Sequence, residues 1–146
     1  MTAALKPEIH LNARCACGGV ALGISGRVRS MFLCSCEDCQ RSTGTGHAAI
    51  VLVGYADLTV TGDTRSFART AHSGATLTRW FCPTCGTPLY ARSDRARDLA
   101  MLPVGLFGPQ AEWFAPNQLI FARSHHAWDK VDDHLPQHAT YREGTG

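Results

Sequence analysis

A chain of 146 residues can bury one real core but not two ordinary ones, and 45% hydrophobic with 18% charged residues is a globular composition. Fourteen Lys and Arg are scattered among twelve Asp and Glu, for a formal net charge of +2, which argues against nucleic-acid and membrane partners, since both call for a concentrated basic face. The densest basic stretch, Arg92, Arg95 and Arg97, is broken by Asp94 and Asp98 and reads as a solvated loop.

In chain order, residues 1–13 read as a loose leader. Met1 to Lys6 lacks the apolar core of a signal peptide. The longest uncharged apolar stretch, near 46–56, is too short to span a bilayer. A cytoplasmic location is therefore expected, where thiols stay reduced. Val20, Leu22 and Ile24 alternate with small residues and predict a strand. Ser25-Gly26 predicts a turn, and 28–34 the returning strand. Residues 36–43 are short and polar with Gly44 behind them, which predicts one or two helical turns and a glycine cap. Strands are expected over 48–53, around Leu58 and Val60, around Phe67, over 77–81 after a His72-Ser73-Gly74 turn, over 89–92, over 99–104 and over 120–122. From Trp128 onward the chain reads as irregular. No long 3.6-residue periodicity is present, so a mainly β fold of several short sheets is predicted. The division expected is a leader at 1–13, a single domain at 14–138 and a tail at 139–146.

Seven cysteines, an odd and clustered set, argue for metal over disulfides in a reducing compartment. Zinc–sulfur bonds of about 2.3 Å in a tetrahedron place sulfurs roughly 3.8 Å apart. Cys15 and Cys17, two apart on an extended segment, would share a face. Cys82 and Cys85 flank a turn in which Pro83 pre-sets φ and Gly86 lets the chain leave with positive φ. Such turns aim backbone N–H groups at the sulfurs. Pairing the two couples closes the chain over residues 18–81 and removes unfolded-state entropy. The bland alternative is four ordinary buried cysteines.

Cys34, Cys36 and Cys39 form a second set. The first two share a face at a strand end, the last two share one in a helical first turn. Zinc with four protein ligands is closed and structural, whereas zinc with three has a position open to chemistry. Three thiolates quench its Lewis acidity, so such a site suits a substrate thiolate or aldehyde oxygen better than hydroxide generation. Arg41, just past the cluster, could balance the charge or hold a substrate carboxylate. The competing reading is a closed site completed by His47, or by His72, His125 or His126. A third is a redox-active cluster whose thiols pair when zinc is lost.

The strings Cys15-Ala16-Cys17-Gly18-Gly19-Val20, Cys34-Ser35-Cys36-Glu37-Asp38-Cys39-Gln40-Arg41-Ser42-Thr43-Gly44 and Phe81-Cys82-Pro83-Thr84-Cys85-Gly86-Thr87-Pro88-Leu89, with Trp128 and Leu135-Pro136 behind them, resemble the glutathione-dependent formaldehyde-activating enzymes, the GFA or CENP-V family. The resemblance implies an Mss4-like fold of coiled antiparallel β-sheets around zinc. It implies a structural zinc on Cys15, Cys17, Cys82 and Cys85, and a second, catalytic-type zinc on Cys34, Cys36 and Cys39. The activity implied joins glutathione and formaldehyde, a carbon–sulfur lyase reaction. The expected protein is thus a zinc enzyme with two ions per chain acting on a small thiol–aldehyde adduct. His47, eight residues after Cys39, or a water is the candidate proton carrier; the alternative for His47 is an ordinary surface or core histidine. The alternatives are a non-catalytic zinc-binding interaction module and a redox or metal-buffering protein.

Overall fold

Residues 6–142 are described by the structure, a computed structural model; 1–5 and 143–146 lie outside them. The described chain is mostly β, as expected. Its elements are β1 (Glu8–Arg14), β2 (Ala21–Arg27), β3 (Ser30–Cys34), α1 (Glu37–Thr43), β4 (Ala48–Gly54), β5 (Leu58–Thr61), β6 (Arg65–Thr70), β7 (Thr76–Phe81), β8 (Pro88–Ser93), β9 (Leu99–Pro103) and β10 (Leu119–Ile120), with 3-10 segments at Tyr55–Asp57, Val104–Gln110 and Ala122–Ser124. None of its helices is long and apolar enough to cross a membrane.

The described chain divides into two compact units, residues 6–30 with 51–113 and residues 31–50 with 114–142. In the first, β1, β2 and β5 form an antiparallel sheet in the order β1-β2-β5. Its inward row, Ile9, Ala13, Leu22 and Ile24, is buried. The same unit holds β9-β8-β7-β6 in sheet order. Trp80 lies opposite Tyr90 across β7 and β8, and their rings stack with centroids 4.7 Å apart. The register slips between Trp80 and Phe81, so the chain bends just before Cys82.

The second unit runs β10-β3-β4. Its small core joins Cys34, Cys39, Ala48, Ile120 and Phe121. α1 starts at Cys36, whose sulfur accepts from the Cys39 amide at 3.3 Å, and ends at Gly44 in the left-handed region.

Four expectations change. Residues 8–13 belong to β1, paired along its length with β2; Ile9, Leu11 and Ala13 carry a period-two pattern that a short N-terminal stretch does not advertise. Ser25 and Gly26 lie inside β2, which pairs with β1 and β5, so β3 is not its returning partner. β10 stops at Ile120 because Phe121 adopts φ 55. It also pairs in parallel with β3, where antiparallel sheets were expected. The excursion from 35 to 118 separates the two strands, so no hairpin dictates their direction. Residues 138–140 are also tied down, with their carbonyls accepting from the Ala122, Arg123 and Phe121 amides.

Candidate metal centres

The first centre is carried by two hairpin turns. Cys15 and Cys17 stand in the turn from β1 to β2, which the Cys15 N–H→Val20 O and Gly18 N–H→Cys15 O bonds close at 3.0 Å each. They are therefore on a tight turn, not on the extended segment expected. Gly18, at φ 80, permits it. Cys82 and Cys85 stand in the turn from β7 to β8, closed by Cys82 N–H→Thr87 O at 3.0 Å and Gly86 N–H→Cys82 O at 2.9 Å.

The four sulfurs lie within 4.8 Å of one another. Cys15 to Cys17 and Cys17 to Cys82 each measure 3.6 Å, close to the roughly 3.8 Å edge of a zinc–thiolate tetrahedron. Backbone amides point at them, as expected of such turns: Val20 at Cys15 (3.2 Å), Gly19 at Cys17 (3.4 Å) and Cys85 at Cys82 (3.5 Å). The Thr87 hydroxyl lies 3.1 Å from the Cys85 sulfur and accepts from the Ala16 amide at 3.1 Å, so it links both turns.

The crowding shows in the thiol acidities. The Thr87 hydroxyl, then the Thr87 and Cys17 amides, bring Cys85 down to about 5. The Gly19 amide pulls Cys17 down, but the sulfurs of Cys15, Cys82 and Cys85 outweigh it and push that thiol up to about 11. Four sulfurs this close cannot all ionise by themselves. A divalent cation removes the conflict, and the donor set suits soft-tolerant zinc.

The second centre is more local and more buried. Cys34 ends β3, Cys36 caps α1 and Cys39 lies in its first turn. Their sulfurs also lie within 4.8 Å of one another. Cys34 and Cys39 are each 4% exposed, whereas Cys17 and Cys85 of the first centre are on the surface. The sulfurs of Cys36 and then Cys39, with burial behind them, push the Cys34 thiol far above its ordinary range. Ser35, between two of the thiols in sequence, is fully buried and its Oγ has no hydrogen-bond partner. A buried orphan hydroxyl and a thiol that resists ionisation both fit a site organised around a cation.

Among the described residues, none of His47, His72, His125 and His126 belongs to a set whose ligand atoms lie mutually within 4.8 Å. His72 is in the β6–β7 turn of the other unit. His47 Nδ1 lies 2.6 Å from Asp129 Oδ2. His126 Nε2 meets Gln40 Oε1 at 3.1 Å, and its ring stacks on Trp128. Arg41 is on the exposed face of α1, near Glu37 at 3.6 Å and Asp38 at 3.9 Å. With Glu37 and Gln40 it lines one wall of a cleft of about 550 Å³; Arg123, Ser124, His125 and His126 line the other. Asp129 and Gln40, the partners of His47 and His126, were not singled out in the sequence. The signal available was only the four-residue spacing of His125 and Asp129.

Over residues 10–124 the sequence matches the family described as glutathione-dependent formaldehyde-activating enzyme. The structure resembles the crystal structure of a Rhodobacter sphaeroides protein, with a TM-score of 0.54 and 18% identity, over 68% of this chain and 89% of that one. At that identity the likeness concerns the fold.

Proposed function

Since the chain belongs to the family of glutathione-dependent formaldehyde-activating enzymes, we propose that it is a zinc-dependent enzyme of the carbon–sulfur lyase type. It makes or breaks a small thiol–aldehyde adduct similar to S-(hydroxymethyl)glutathione, in the cytoplasm. The observation that carries this reading is the unequal ligand count: four thiols in one centre, three in the other. Cys15, Cys17, Cys82 and Cys85 would hold a structural zinc, and Cys34, Cys36 and Cys39 a catalytic-type zinc. When bound there, zinc supplies a soft position suited to a substrate sulfur or an aldehyde oxygen.

The chain's own groups do the rest. α1 gives the cleft one wall, and Arg41 stands on it with the planar fork that recognises a carboxylate of a glutathione-like thiol. His47, half-buried, moves the proton that the thiol gives up. The test is cobalt substitution followed by titration with glutathione and other small thiols. Thiol-dependent changes in the ligand-field and charge-transfer bands are expected. Exchange between formaldehyde and glutathione, followed by NMR, should exceed the uncatalysed rate. Unchanged bands with uncatalysed exchange would instead favour a non-catalytic zinc module. Loss of metal from Cys34, Cys36 and Cys39 alone under mild oxidant would favour a redox or metal-buffering protein.

A further inference from the structure

Asp129 gathers two imidazoles onto one carboxylate oxygen. His47 Nδ1 is 2.6 Å from its Oδ2, and His125 Nε2 is 3.2 Å from the same atom. The three side chains are 26%, 16% and 13% exposed for His47, His125 and Asp129. His125 Nε2 is buried and out of hydrogen-bond alignment, so His47 holds the oriented contact. The approach is close because residue 46 is glycine: a Cβ there would come within 2.6 Å of Asp129. The three ligand atoms do not form a mutually close set, so this is not a third metal site.

The cluster is tied to the helix that carries Cys39. Thr43 Oγ1 donates to the Cys39 carbonyl at 2.8 Å and accepts from the Thr45 amide at 3.2 Å. Thr45 Oγ1 then donates to the His47 carbonyl at 2.7 Å. Ala48, next in the chain, packs in the core with Cys34 and Cys39. On the other side, His125 lines the cleft beside α1. Gln40, from α1, donates to the Ser35 and Ser124 carbonyls at 2.8 and 3.1 Å, which holds that wall in place.

We propose that Asp129 is a positioning residue that fixes His47 in the tautomer with the proton on Nδ1 and leaves Nε2 as a proton acceptor. A carboxylate can only accept, so Nδ1 must donate, and in the neutral imidazole the lone pair then resides on Nε2. The role in turnover rests on the function proposed above. As the thiol sulfur bonds to the aldehyde carbon, its proton passes to His47 Nε2 and the carbonyl π pair moves onto oxygen. The same proton is then delivered to that oxygen. One C–S and one O–H bond form, one S–H and one C=O π bond break, and nothing is oxidised or reduced. Asp129 keeps the imidazole oriented through both transfers.

The test uses the zinc-loaded full chain labelled with 15N-histidine. Long-range 1H–15N correlations report which ring nitrogen bears the proton, and His47→Gln identifies the His47 signals. In the wild type, His47 is expected to show a protonated Nδ1 and a bare Nε2. In Asp129→Asn the pattern should reverse, because the amide can donate to Nδ1. Formaldehyde–glutathione exchange should lose on the order of 10²-fold in kcat, within the range for general acid–base groups, with KM nearly unchanged. Asp129→Asn and His47→Gln should not add. Gly46→Ala, which crowds Asp129 without altering its charge, should move the His47 signals in the same direction. A wild-type His47 with its proton on Nε2, or an imidazole pattern indifferent to Asp129→Asn, overturns the positioning role. A reversed pattern with undiminished kcat overturns the catalytic part. If the wild type itself catalyses no exchange, the proposed function has failed, and the imidazole spectrum alone decides the role of Asp129.

Discussion

The two thiol centres differ in what they hold together. The first joins two hairpin turns distant in sequence, has two sulfurs on the surface, and surrounds its sulfurs with Val20, Gly19 and Cys85 amides and the Thr87 hydroxyl. The second spans residues 34–39, is mostly buried and sits in a small apolar core. A long-range centre of four thiols would act as a crosslink with a metal bound. A local centre with one ligand fewer contributes little to chain connectivity and is suited to exchange its remaining partner. Ligand count and loop length, read together, are what the proposed function uses to assign one metal to folding and the other to chemistry.

The sharpest way to break this contrast is Cys82→Ser. A structural zinc contributes on the order of 10 kcal/mol, comparable to the roughly 5–15 kcal/mol that stabilises a whole domain. Loss of soluble, cooperatively folding protein is expected. Circular dichroism melts and metal content per chain check it, and native melting with two metals would refute the crosslink. Next is Cys36→Ser, expected to lose one metal while costing roughly 1–3 kcal/mol. Equal destabilisation by the two variants would erase the distinction. The smallest effect is expected for Thr87→Val, which removes the hydroxyl between the Cys85 sulfur and the Ala16 amide. About 1 kcal/mol of stability and roughly tenfold in metal affinity should be lost, as read by chelator competition, with the second metal unaffected.

The cysteine sets were legible in the sequence because metal geometry constrains spacing so narrowly. The strands with clear alternation and the Cys36–Gly44 helix were legible too, since Gly44 marks its own cap. What escaped notice depends on long-range choices. β1 needed a partner before Ile9 and Ala13 could be read as a buried row. The direction of β10 depends on β3, far earlier in the chain. Phe121 leaves the strand with a left-handed backbone, a conformation that non-glycine residues rarely adopt and that no local residue type announces. In the sequence Asp129 is one of several acidic residues near the C-terminus. Its meaning comes from His47, which tertiary structure brings to it.

The hairpin placement of the first centre also bears on the order of folding. Each cysteine pair is carried on a turn whose closing hydrogen bonds span only a few residues. Hairpins close in about 1–10 μs, whereas bringing residue 17 to residue 82 requires a far longer loop to close. Each turn is thus a two-thiol claw that can form early and capture an ion before its counterpart arrives. Excess zinc during refolding would then load both claws separately and delay their union, so refolding should be fastest near stoichiometric metal.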